Sequence, residues 1–266
     1  MLGRAACENG PTLIASFANS PPYFAVLGLL CGFVGFRLGW RSGNRFLLPL
    51  AQGLLGAVAF AAAWRTAGAL VAALAVGGWA LGLTLAGLYV FRHEGRHVDR
   101  RVLGAARYRD EMLDWLRTGR GPESRPLATL RAHAAELAVY LAAALATGNL
   151  VSIVMGAVLL NKMNAYVAAL LRAAKRPWTV RLLAWNCWSL LRVAAYVALG
   201  AACASWLAAR AGYPAPRSEI VALAWAGGAG VVADLLLKLA LSRPCGRALG
   251  AALDWEAFDG APAAEG

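Results

Sequence analysis

Apolar positions run in blocks of helical length along most of the chain, and short polar breaks separate them. Tyr23 to Trp40, Phe46 to Trp64 and about Ala69 to Phe91 are each long enough to cross a hydrocarbon core of roughly 30 Å as a helix. After a polar stretch come Glu136 to Leu171, Val180 to Leu207 and Ile220 to Leu241. The pattern predicts an all-α polytopic membrane bundle of six to seven passes. It divides the chain into a short N-terminal segment (1–22), three spans (23–91), an arginine-rich loop (92–134), spans four to seven (135–242) and a tail (243–266).

The stretch from Glu136 to Leu171 sets the pass count. As one straight helix it would be about 54 Å long, well over the core thickness. Thr147-Gly148-Asn149 offers a break, and Asn161-Lys162-Met163-Asn164 a second polar knot. The loop from Arg92 to His133 carries ten arginines, and Arg172, Lys175, Arg176 and Arg181 follow the ambiguous stretch. A single crossing would put these clusters on opposite faces, against the positive-inside tendency. A hairpin or re-entrant pair broken near Gly148 puts them on one face with Arg41, Arg45, Arg243 and Arg247. The expectation is therefore seven passes, with the N-terminus outside and the C-terminus cytoplasmic.

Composition agrees with a bilayer as the solvent: 60% of the residues are apolar and 15% charged. The net charge of +12 comes almost wholly from arginine, 23 Arg against three Lys, which suits contact with anionic lipid headgroups rather than nucleic acid. The five cysteines are scattered without a CxxC pair and read as small hydrophobes. Residues 1–21 lack the form of a cleaved secretory signal, so the first span is expected to direct insertion. Glycines at small-xxx-small spacing (Gly28 and Gly32, Gly35 and Gly39, Gly78 and Gly82) predict close helix packing. Val98 to Leu116 has loosely helix-spaced apolar residues and predicts an amphipathic helix on the membrane surface or a solvated loop helix.

Buried polar residues are the candidates for chemistry. An ionisable group inside a bilayer is expensive and normally faces a partner. Arg192, near the middle of its predicted span, and Asp234, in the neighbouring one, form a predicted ion pair. With Asn149, Ser152, Asn161, Lys162, Asn164, Asn186 and Lys238 they are the candidates for a shared polar path. Lys238, near a span end, is expected to snorkel toward the interface beside Asp234. His93-Glu94-Gly95-Arg96-His97 matches HExxH, the spacing that sets two zinc-binding imidazoles a helical turn apart with a glutamate base between them. The arginines on both sides oppose a dication there, no third ligand stands out, and no cofactor is expected. No catalytic residue is assigned.

Two resemblances go further. Asp234-Leu-Leu-Leu-Lys238 is similar to the DxxxK of the last helix of microbial rhodopsins, which implies a retinal-bearing lysine and its counterion. The matching arginine-aspartate helix is absent, because Arg107 to Asp110 and Asp114 lie in the polar loop. Trp40-Arg41, Asn44, Ala51, Gly56 and Trp64, with Arg192, Asp234 and Ser242-Arg243, resemble the TRAM/LAG1/CLN8 (TLC) type of lipid protein. That resemblance implies lipid handling without acyl transfer, since the tandem histidines of ceramide synthases are missing.

Three function classes follow. One is movement of a small solute or ion through a polar path. The second is lipid handling or lipid modification, and the third a noncatalytic scaffold. A homo-oligomer is compatible with the sequence.

Overall fold

The computed structural model of the protein describes residues 20–121, 123 and 126–259. The N-terminal segment as far as residue 19 and the last seven residues of the tail lie outside the described residues. Eleven helices are formed among the described residues, and the only strand-like feature there is an isolated bridge between Ala174 and Leu253. Six segments are long and apolar enough to cross a membrane, so the protein is a multi-pass membrane protein.

Helices α1 (Pro21–Arg41), α2 (Leu47–Ala67) and α3 (Ala69–His93) form a closely packed antiparallel group. The predicted glycine pairs make this possible. A β-carbon at Gly28 would overlap the carbonyl of Ala75, and one at Gly78 or Gly82 the carbonyls of Ala25 and Leu29. Gly35 and Gly39 lie in the same way against Gln52 and Leu48 of α2. With no hydrophobic drive between helices in lipid, such backbone approach supplies the dispersion that holds them.

The connector folds into α4 (Gly95–Arg101) and α5 (Ala105–Thr118), turned at Gly104, whose φ of +69° suits glycine. This corrects the expectation of one helix lying on the membrane or in solvent. Met112, Trp115 and Leu116 are buried, and Trp115 fills the space beside Gly246 in the last span. The apolar face of α5 is covered by the bundle itself.

Helix α6 (Pro126–Thr147) meets α7 (Leu150–Arg172) in a turn at Gly148-Asn149. Both residues take left-handed φ values, +58° and +77°, and Asn149 donates its backbone N–H to Ala144 O at 3.0 Å. Glycine and asparagine are the residues that tolerate this conformation, so the hairpin forms where the sequence predicts it.

The predicted span from Val180 is interrupted. It becomes α8 (Pro177–Leu183), a bend, and α9 (Cys187–Arg210), because Asn186 takes an extended ψ of 130° and starts the new helix. Helix α10 (Arg217–Ala251) continues nearly three turns beyond the predicted end at Leu241, through Pro244, and α11 (Trp255–Asp259) follows. The first part of the tail is thus helical.

One end of the molecule collects the basic connections. Arg172 donates to Phe91 O at 2.6 Å, Lys175 pairs with Asp254 at 3.5 Å, and the Arg117 guanidinium lies 4.8 Å from the Trp255 ring centroid. The connector, the α7–α8 junction and the chain after α10 therefore share that end, as the hairpin requires. At the opposite end Glu219 of α10 accepts from the N–H groups of Ala69 (2.8 Å) and Leu70 (3.3 Å), capping α3. There Trp64 also donates to Ser205 Oγ at 2.9 Å.

Candidate functional site

A cavity of about 290 Å³ lies between α6, α7 and α9, with α3 behind it and α5 across its basic end. Its polarity is graded along the helices. Near the basic end stand Glu111, His133, Lys162 and Arg192, with Glu136 about one turn deeper than His133. The deep end is lined by Val76, Trp79, Ile153 and Val197, with Tyr140, Tyr196 and Ser152 as polar exceptions. The Tyr140 and Tyr196 rings pack at a tilt of 39° with centroids 4.8 Å apart, and Ser152 donates to Tyr140 O at 2.9 Å.

Just beyond this closed end is the hairpin turn. Asn149 is buried against Gly200 of α9, where a β-carbon would lie 2.5 Å from Asn149 Oδ1. Gly200 precedes Arg210 by ten residues, so the turn stops about 15 Å short of the far end of α9. The irregular backbone of the α6–α7 turn is therefore lodged inside the bundle against protein.

Arg192 and Asp234 make a two-pronged pair, Nε to Oδ2 and Nη2 to Oδ1, both at 3.0 Å. Because α9 begins at Cys187, Arg192 sits in its second turn and not at the middle of a span, which moves the pair toward the basic end. Lys238 departs from expectation. It is 1% exposed and does not snorkel; its Nζ lies 3.3 Å from Oε1 of Glu123, whose other oxygen accepts from Trp188 Nε1 at 2.9 Å. Asp234 and Lys238 thus serve different partners, and the motif shared with microbial rhodopsins contains no internal ion pair.

The remaining candidates divide. Ser152 and Lys162 line the cavity. Asn161 points the other way and exchanges two hydrogen bonds with Gln52 of α2, at 2.7 and 3.2 Å. Asn164 lies against Gly87 of α3, with Nδ2 3.5 Å from Leu83 O. These two asparagines tie α7 to the first three helices and are not among the cavity-lining residues. Asn186 sits at the α8–α9 bend, and its Oδ1, like that of Asn149, has no partner among the described residues.

The HExxH residues do not converge. The helix breaks at Glu94, whose Oε2 accepts from Trp40 Nε1 at 2.9 Å, and His93 Nδ1 is 2.7 Å from Tyr89 O. His97 Nε2 lies 3.3 Å from Nε of Arg96, and among the described residues no three His, Cys, Asp or Glu side chains are grouped to hold a metal.

Sequence reasoning missed Gln52, Glu123, His133, Glu136 and the tyrosines. Gln52 could have been found as an amide within an apolar span, and His133 and Glu136 as ionisable groups one turn apart leading into one. Glu123 carries no such mark, since it stands in the connector among arginines. Tyr108, in α5, also lines the cavity, and burial pushes its phenol well above the ordinary range, followed by the negative charge of Glu123. It is accordingly a neutral hydrogen-bonding group at any physiological pH. No protein-family model matches this chain, and neither a curated protein nor a solved structure matches it.

Proposed function

We propose that the protein is a membrane carrier that takes a small molecule into the α6–α7–α9 cavity at the basic end and releases it on the other side. By the positive-inside tendency the basic end is cytoplasmic, set against an anionic leaflet, and the N-terminus is outside. One observation carries the reading: a partly polar cavity ends at a broken helical hairpin lodged within the bundle. Discontinuous helices around a central site are the form in which many carriers bind their cargo and change access. The barrier beyond the cavity includes the Ser152–Tyr140 contact and the Asn149–Gly200 approach at the hairpin turn. Its two left-handed residues supply a hinge.

A second reading, lipid handling without transport, is favoured by the apolar deep end of the cavity. Labelling separates the two. In a variant lacking the native cysteines, Gly156→Cys puts a thiol on the cavity wall. In sided vesicles a membrane-impermeant maleimide added to either face should reach it if access alternates. Labelling from the basic face alone would leave a one-sided binding chamber and remove the carrier.

A further inference from the structure

The charged groups around the cavity are mostly neutralised by protein partners. Glu111 pairs with Arg107 at 2.8 Å, Glu123 with Lys238, and Arg192 with Asp234. Two charged lining groups have no ion-pair partner among the described residues: Glu136 on α6 and Lys162 on α7. They are opposite in sign and stand on opposite strokes of the hairpin, Glu136 twelve residues before Gly148 and Lys162 thirteen after Asn149. At 1.5 Å per residue both lie roughly 18–20 Å from the turn, so they share one level of the cavity. Arg192 spends Nε and Nη2 on Asp234 and keeps Nη1, which has no protein acceptor among the described residues. Beyond this level the wall turns apolar.

We infer that the cavity binds a single-chain zwitterionic amphiphile. Its ammonium group lies against Glu136, its phosphate or carboxylate against Lys162 and Arg192 Nη1, and its chain along Trp79, Ile153 and Val197. Two unpaired charges of opposite sign are the complement of a molecule that carries both, and an ion bearing only one would leave the other side chain unsatisfied. The inference deepens the carrier reading and rests on the same cavity, but it concerns what is bound and not where it goes.

Native mass spectrometry of the full chain in maltoside detergent tests it with three ligands of one chain length: dodecylphosphocholine, dodecyl phosphate and dodecyltrimethylammonium. The zwitterion should be retained one to one and bind at least about ten-fold more tightly than either single-charge ligand, the worth of one charge-assisted contact. Glu136→Gln should weaken the zwitterion and the cation and spare the anion. Lys162→Gln should weaken the zwitterion and the anion and spare the cation. A β-carbon at Gly156 would meet only the Trp79 ring, at 4.0 Å, so Gly156→Leu grows into the chain end. It should exclude the dodecyl chain while keeping hexylphosphocholine. The exchange Glu136→Lys with Lys162→Glu keeps both charges and should keep zwitterion binding, which separates loss of the site from loss of the fold. Equal retention of all three ligands, no retention of the zwitterion, or indifference to both charge-neutralising variants would overturn the ligand class. Zwitterion binding together with one-sided labelling of Gly156→Cys would remove the carrier and leave the ligand class standing. Two-sided labelling without zwitterion binding would do the reverse.

Discussion

The first three helices and the last four solve the same problem by different means. In α1, α2 and α3 glycines let backbones touch, and the only polar side chain among their buried residues is Gln52. In the second half α6, α7 and α9 enclose a cavity, α10 packs closely on α9 through Gly227 and Gly230, and the buried charges Asp234 and Lys238 belong to this half. Helix α7 is the wall between them. One of its faces sends Asn161 and Asn164 to α2 and α3, and the other presents Ser152, Gly156 and Lys162 to the cavity. Backbone contact among α1, α2 and α3 leaves the first half no room for a ligand, while the second half keeps a chamber between α6, α7 and α9, beside the charge-paired α9 and α10. A closely packed platform beside a charged half that holds a chamber is a division of labour that suits a bundle in which one part moves.

Glycine substitution breaks this comparison most severely. Gly78→Leu drives a side chain into the backbone of Ala25, and overpacking of that kind costs about 3 kcal/mol or more. The variant should lose its monodisperse peak in size-exclusion chromatography, whereas Gly156→Leu on the cavity wall should keep it. Equal tolerance at the two positions would erase the distinction between the halves.

Asp234→Ala comes next. It strands the Arg192 guanidinium in a largely buried setting, at about 3–5 kcal/mol, and should lower the thermal unfolding midpoint in detergent. Adding Arg192→Met should recover most of the loss. If the double variant is no more stable than the single one, the pair does not account for the penalty.

A smaller effect is expected at the wall. Gln52→Leu leaves the Asn161 amide without its partner, at roughly 1–3 kcal/mol, and Gln52→Leu with Asn161→Leu should return close to the parent. Smallest of all is Glu219→Ala, which removes a cap from α3 and should cost about 0.5–2 kcal/mol. Hydrogen exchange at Ala69 and Leu70 should rise in that variant; unchanged exchange would show that water caps the helix as well.

Much of this was legible in the chain. The hairpin at Gly148-Asn149 was readable because length, charge bias and two turn-forming residues all pointed to it. Arg192 and Asp234 could be matched because two opposite charges in adjacent apolar helices have few other partners. The destinations of Asn161, Asn164 and Lys238 were not readable. Each depends on helix rotation, and apolar residues on nearly every side of a membrane helix leave no amphipathic stripe to set it. The bend at Asn186 was hidden for a similar reason, since the apolar run continues across it.

The sequence by itself determined the solvent, the rough placing of the membrane-length helices, and the sharing of one end by the basic connections. These follow from hydropathy, length and charge, which are sums over neighbouring residues. Only the tertiary structure decided which polar groups meet. It sent Glu123 from the connector to Lys238, turned Asn161 to Gln52, and left Glu136 and Lys162 facing a cavity without ion-pair partners among the described residues. The first two outcomes depend on contacts between residues 115 and 109 positions apart, fixed by steric fit between helices that hydropathy cannot register.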